Sequence, residues 1–107
     1  MRFKVVIGEQ VFAVDIPEDL LREAGEFHAR LDRDMDRGWQ MSREFVARPD
    51  QLQRCQIVAE KLLTSLHNGS EASAMLMAGY IAVRMPGAIG VDIDDAGEMQ
   101  NTEVLFS

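Results

Sequence analysis

Residues 70–85 read Ser-Glu-Ala-Ser-Ala-Met-Leu-Met-Ala-Gly-Tyr-Ile-Ala-Val-Arg-Met, and they decide the fold. This stretch carries only two charges, Glu71 and Arg84, one near each end. A helix that is apolar on nearly every side has to be buried. Because sixteen residues are too few to cross a bilayer, the stretch predicts the central helix of a small domain.

One side of this predicted helix carries small residues. Three alanines recur every fourth residue, with a glycine beside them. Small side chains let another helix backbone approach closely, either inside the domain or across a two-fold axis. The predicted close-packing face consists of Ala74, Ala78, Gly79 and Ala82.

Two further helices are predicted on the N-terminal side of the central helix. One covers about 50–67 and ends at Asn68-Gly69, a frequent C-terminal signal, so that it forms a tight hairpin with the helix over 70–85. The other covers about 17–38, between Pro17 and Gly38, with apolar residues spaced by three and four. The intervening residues 39–48 carry four large apolar side chains and predict a connection that folds back onto the core.

The N-terminus predicts a β-hairpin. Residues 2–7 and 10–16 are rich in Val, Ile and Phe, and Gly8-Glu9 suits a two-residue type II′ turn. That turn sets a register in which Arg2 lies opposite Asp15. A lone hairpin is barely stable in water, so its apolar face needs a cover.

The last fifth of the chain differs in charge from the rest. Residues 88–107 hold five acidic residues and no basic residue. The sequence leaves two alternatives for them, a partly ordered acidic tail with a tethered end or one or two added strands, and it favours the tail. We therefore predict an α+β fold, with a hairpin packed on three helices (about 17–38, 50–67 and 70–85) in a domain over 1–87, followed by the segment 88–107.

Composition and charge narrow the classes of partner. The 107 residues are 47% hydrophobic and carry a net charge of −7, which argues against nucleic acid and anionic membranes. The N-terminus lacks the apolar core of a signal peptide, and one cysteine cannot form an internal disulfide, so a cytoplasmic location is expected. The apolar surface of the long first helix and the central helix exceeds what one hairpin can cover, which predicts a homodimer.

Arginines on the first predicted helix form a candidate interaction surface. Arg30, Arg33 and Arg37 lie at i, i+3 and i+7, on one helical face, and Trp39 follows. Arginine favours bidentate contacts with carboxylate or phosphate. Given the net charge, salt bridges to the interleaved acids, or to the acidic tail of the same or a partner chain, are a stronger interpretation than an anion or nucleic-acid patch.

The sequence contains only incomplete matches to metal-binding and catalytic motifs. Asp32, Asp34 and Asp36 alternate as in a calcium loop, but Gly38 and Glu44 each fall one position late, which favours a solvated helix end. His28–Asp32 and His67–Glu71 offer two ligands each, fewer than zinc generally needs. Cys55 lies on an apolar stripe, where an inert thiol is expected. No catalytic residue, metal site or cofactor is predicted.

The methionines leave a second function open. Met75, Met77 and Met85 lie in the central helix, with Met35 and Met41 elsewhere. Methionine fills gaps in cores, and it also lines adaptable apolar pockets. The sequence therefore favours a non-enzymatic protein-interaction or regulatory module, with a small-molecule- or metal-binding protein that has a Met-lined pocket as the alternative.

Overall fold

A computed structural model describes all 107 residues and confirms the α+β class. It contains a mixed four-stranded sheet, a separate two-stranded sheet and four helices. In chain order the elements are β1 (Arg2–Ile7), β2 (Gln10–Asp15), α1 (Glu18–Glu23), α2 (Gly25–Met35), β3 (Trp39–Met41), β4 (Glu44–Val46), α3 (Gln51–His67), α4 (Glu71–Arg84), β5 (Ala88–Ile93), a 3₁₀ turn (Met99–Asn101) and β6 (Glu103–Phe106).

The N-terminal hairpin has the predicted register. Arg2 pairs with Asp15 and Ile7 with Gln10, and Gly8 has the positive φ of 60° that the first turn residue needs. Phe3 and Val5 are fully buried on the inner face of the sheet. Local turn chemistry and the alternation of apolar residues are therefore sufficient to set this register.

The first predicted helix is interrupted. Ala24 has φ −82° and ψ 9°, in the bridge region, so α1 ends there and α2 begins at Gly25. Glycine has a weak preference for helix, which makes this the position where a break is least unfavourable. After the break, α2 buries His28, Leu31 and Met35.

A second hairpin, β3–β4, occupies the region that was predicted as a folded-back connection. Met41 in β3 is fully buried, so the segment does pack onto the core. Its turn residue Ser42 has a positive φ of 58°. The Ser42 hydroxyl donates to the Gly97 carbonyl over 2.8 Å and accepts from the Met99 N–H over 3.1 Å, which ties the hairpin to the segment before β6.

The helix pair α3–α4 forms the layer that covers the sheet. Asp50 caps α3, since its carboxylate accepts the Gln53 N–H over 2.8 Å while the Gln53 side chain accepts the Asp50 N–H. Ser70 caps α4 as predicted. Within α4, Tyr80 and Ile81 are fully buried. None of the four helices has the length and continuous apolar character that a membrane crossing needs.

Residues 88–107 supply two strands of the main sheet, so the added strand is the alternative that the structure contains. The strand order is β2-β1-β5-β6, with β5 parallel to β1 and antiparallel to β6. Gly90 lies so close to β1 that a Cβ there would be 2.3 Å from the Lys4 carbonyl oxygen. The buried Gln56 side chain donates to the carbonyls of Gln100 and Thr102, both over 3.1 Å, and holds the connection against α3.

Candidate functional site

The most concentrated polar group in the molecule surrounds Asp32 of α2. One carboxylate oxygen accepts hydrogen bonds from the Tyr80 hydroxyl and, over 3.2 Å, from Arg54; the other accepts from Arg84 over 2.9 Å. Arg54 also bonds Asp36 over 2.7 Å. These five residues, which we call the Asp32 cluster, join α2 to α3 and α4.

Pairing inside the Asp32 cluster keeps its charges in place. Burial opposes the charged form of Asp32, but the hydrogen bonds from Tyr80, Arg84 and Arg54 outweigh it and hold the pKa of this carboxyl below its ordinary value. Burial and the bond to Asp32 raise the pKa of the Tyr80 hydroxyl. Because both oxygens of Asp32 already accept hydrogen bonds from cations or a hydroxyl, this carboxylate is not free to bind a metal cation.

His28 lies beside the Asp32 cluster and is 1% exposed. Its Nε2 is 3.1 Å from the Leu76 carbonyl oxygen, which can only accept, so Nε2 carries the hydrogen. Burial lowers the pKa of His28 below its ordinary 6.5, and the bond to Leu76 offsets only part of that shift. The ring also packs edge-to-face on Tyr80, with centroids 5.6 Å apart. No group of three His, Cys, Asp or Glu side chains is placed to hold a metal ion.

Cys55 is fully buried in α3. Burial raises the pKa of its thiol to about 11, while Gln51 donates a weak hydrogen bond to the sulfur over 3.9 Å. A thiol in this setting stays protonated near neutral pH and is a poor nucleophile.

Only two of the three arginines of the predicted surface lie on α2, Arg30 and Arg33; the helix ends at Met35 rather than near Gly38, so Arg37 lies in the following turn. Arg30, Arg33 and Arg37 are exposed and form no ion pair within the chain, and Arg30 packs over the Phe27 ring at 5.7 Å. Trp39 is half-buried under Lys61, whose ammonium lies 4.8 Å from the ring centroid. The salt bridges predicted for this stretch are instead formed by Arg54 and Arg84 with Asp32 and Asp36.

The predicted close-packing residues of α4 lie mostly inside the domain. Ala74, Ala78 and Gly79 are buried and Ala82 is half-buried. A Cβ added to Gly79 would lie 3.7 Å from the His28 ring and from Leu21. Among the methionines, Met35 and Met41 are fully buried in the core, and Met75 lines the surface grooves described below.

The outer edge of β2 has unpaired backbone groups. Met1 and Ile16 exchange both backbone hydrogen bonds, each 2.7 Å long, which sets the phase of the β1–β2 ladder. Backbone groups of even-numbered β2 residues therefore point toward β1, and those of Val11, Ala13 and Asp15 point away. No strand pairs with β2 on that side, and no side chain bonds these groups.

Little on β2 protects this edge. Edge strands are commonly shortened, bulged, or supplied with proline or charge. β2 has six residues, no proline and no bulge; its one charged side chain is Asp15 at its end, and its most exposed large apolar residues are Val11 at 63% and Phe12 at 39%. By contrast, β6 at the other edge has four residues and pairs with β5 across an irregularity between Ala88 and Gly90.

A groove of about 380 Å³ runs along the free edge of β2, within the size range of ligand pockets. We call it the β2 groove. Its other wall is the end of α3, the α3–α4 turn and the start of α4. The lining residues are Phe12, Ala13, Val14, Asp15, Ser65, Leu66, Gly69, Ser70, Glu71, Ala74 and Met75.

A second groove, of about 640 Å³, lies between α1 and α4 and shares Glu71 and Met75 with the first. Its charged lining residues are Asp19, Glu23 and Glu71, and no basic side chain lines either groove. The adjoining grooves therefore form an acidic surface around an apolar floor.

Comparison with protein-family models, with curated protein sequences and with solved structures finds no match to this chain. The interpretation of the site rests on its own geometry.

Sequence reasoning did not single out β2 or the Asp32 cluster. The predicted hairpin register pairs β1 with β2, but only the strand order shows that β5 joins at β1 and leaves the other side of β2 open. The partners of Asp32 are 48 and 52 residues away along the chain, so no local pattern connects them.

Proposed function

We propose that this chain is a non-enzymatic protein-interaction module whose recognition element is the free edge of β2. The observation that carries this proposal is the row of backbone N–H and C=O groups of Val11, Ala13 and Asp15, which have no partner within the chain. An exposed edge of this kind is a template for pairing with a strand of another protein.

Burial of the other reactive groups supports the same proposal. The charged groups of the Asp32 cluster pair with one another, and the high pKa of the Cys55 thiol keeps it protonated and unreactive. The β2 edge, in contrast, combines exposed apolar side chains with unpaired polar backbone. We place this activity in the cytoplasm, in keeping with a single, buried, reduced cysteine.

The proposal is tested by affinity capture, with the wild-type chain and the variant Ala13→Pro as parallel baits. Proline removes the outward N–H of residue 13 and obstructs strand pairing at the edge. We expect at least one protein to be retained by the wild type and lost with Ala13→Pro, as measured by quantitative mass spectrometry. Equal retention by both baits would contradict the assignment to β2, and the absence of any specifically retained protein would contradict the interaction function.

We also propose that the chain forms a homodimer. Large apolar side chains remain exposed away from β2, among them Phe45 at 60%, Phe106 at 53% and Ile89 at 40%, and they offer apolar area for a second copy. Multi-angle light scattering across a concentration series should give about twice the chain mass of 12.0 kDa. A mass that stays at one chain throughout the series would disprove the dimer.

A further inference from the structure

We infer that the β2 groove binds an extended segment of a partner protein, with apolar side chains at alternate positions and a Lys or Arg at one end. This inference rests on the proposed interaction function and names the class of partner.

The backbone of β2 sets the extended conformation of the segment. The outward groups of Val11, Ala13 and Asp15 recur every second residue, which is the repeat of hydrogen-bonding groups along one side of a β-strand. A segment in the same conformation can pair with all three residues. Its side chains then alternate between the outer face of the sheet and the face that carries the helices.

The β2 groove receives the side chains on the helical face. Phe12 and Val14 point to this face from β2, and Leu66, Ala74 and Met75 form the apolar part of the facing wall, beside Ser65, Ser70 and Glu71. This apolar part contains a flexible methionine, which adapts to different side-chain shapes. Apolar residues at every second position of the segment therefore fit the groove.

The acidic residues around the grooves favour a Lys or Arg at one end of the bound segment. Asp15 and Glu71 line the β2 groove, and Asp19 and Glu23 line the adjoining groove, with no basic lining residue. Asp15 is paired with Arg2 over 3.4 Å, whereas Glu23 and Glu71 form no ion pair within the chain. A basic side chain that emerges from the β2 groove meets these two carboxylates.

A second copy of β2 is a poor occupant of the same place. In a two-fold antiparallel pairing of two β2 strands, both helical layers lie on one face of the joined sheet. Each copy brings its own α3–α4 turn alongside the shared edge, so both turns compete for the space of the groove. A single extended segment carries no such layer.

Selection of a phage-displayed library of random seven-residue peptides on the wild-type chain tests the inference. We expect enriched sequences with apolar residues at alternate positions and a Lys or Arg at one end. An enriched peptide, synthesised with a fluorescent label, should bind saturably by fluorescence polarisation. Ala13→Pro should weaken its binding about tenfold or more, while Ala13→Val, which keeps the N–H, should stay within about threefold.

Charge reversal provides a second variant that leaves the strand intact. Glu71→Lys should weaken the basic peptide and strengthen a matched peptide with Glu in place of its Lys or Arg, so that the preference reverses. Circular dichroism checks that each variant folds. Failure to enrich any peptide, or equal affinity for wild type and Glu71→Lys, would overturn the inference.

The outcomes also separate this inference from the proposed function. If Ala13→Pro abolishes capture of a folded partner but no peptide is enriched, the interaction function stands and the extended-segment inference fails. If Ala13→Pro converts a wild-type dimer into a monomer, the edge is occupied by a second copy, and the inference is likewise overturned.

Discussion

The Asp32 cluster and the free edge of β2 use hydrogen-bonding groups in opposite ways. Around Asp32, a carboxylate, two guanidinium groups and a hydroxyl satisfy one another within the chain. Along β2, the outward N–H and C=O groups of Val11, Ala13 and Asp15 have no partner within the chain. Two of these three residues have aliphatic side chains, which carry no reactive group. The residue types that suggest catalysis or metal binding here hold helices together, whereas the unpaired backbone groups belong to a plain apolar strand.

The largest expected effect on stability comes from disrupting the Asp32 cluster. Asp32→Ala leaves Arg54, Arg84 and Tyr80 without their shared acceptor, and loss of one partner from a partly buried ion network is strongly destabilising. We expect the free energy of unfolding to fall by about 3 kcal/mol in urea denaturation. Asp34→Ala removes a neighbouring exposed carboxylate that forms no ion pair and should change it by less than about 0.5 kcal/mol. Equal effects would remove the distinction between the two aspartates.

Added volume in the interior is expected to have the next largest effect. Ala78 is fully buried in α4, so Ala78→Leu should lower the free energy of unfolding by about 1–3 kcal/mol through overpacking. Ala72 lies on the exposed side of the same helix, and Ala72→Leu serves as the matched control with a change near zero. Thermal and urea denaturation measure both. An unchanged stability for Ala78→Leu would contradict the close packing of this face.

Acid should lower the stability of the protein in two stages, through His28 and then through Asp32. The pKa of buried His28 is lowered, so the unfolded chain takes up its proton first, and stability is lost as the pH falls below 6.5. The pKa of Asp32 is lowered too, so its contribution is lost in turn as the pH falls below 3.8. Urea midpoints measured from pH 7 to pH 3 should decline in this order. His28→Asn should flatten the decline between pH 7 and pH 5 relative to the wild type.

The smallest effect on stability is expected at the open edge. The Ala13 N–H points away from β1, so Ala13→Pro should lower the free energy of unfolding by less than about 1 kcal/mol. Val14→Pro, one residue along, removes an N–H that bonds β1, leaves its acceptor unpaired and should lower it by about 1–3 kcal/mol. Urea denaturation of the pair tests the phase of the ladder. If Ala13→Pro proves the more damaging, the outward groups are those of Val14.

Features with local signals could be predicted from the sequence. Gly8-Glu9 and the alternation around it gave the hairpin register, and Asn68-Gly69 with Ser70 gave the boundary between α3 and α4. Each depends on residues within one turn of the chain. For the same reason, the burial of Cys55 followed from helical periodicity alone.

Features set by distant contacts could not be predicted. The turn of the β3–β4 hairpin is held by hydrogen bonds between Ser42 and both Gly97 and Met99, which are more than 50 residues away. A parallel β1–β5 pair leaves no turn signature, because its two strands are joined by most of the chain. For the same reason the free edge of β2 could not be predicted from the sequence, since it is free only because β5 pairs with β1.

The attachment of β5 to β1 also constrains biosynthesis. Lys4 and Gly90 are neighbours in the sheet, so one side of β1 stays unpaired until the ribosome has released β5. During that interval the nascent hairpin exposes a strand edge on each side, together with the apolar face that carries Phe3 and Val5. Such intermediates are prone to aggregate and are typical clients of chaperones. Of the two edges, translation closes only that of β1.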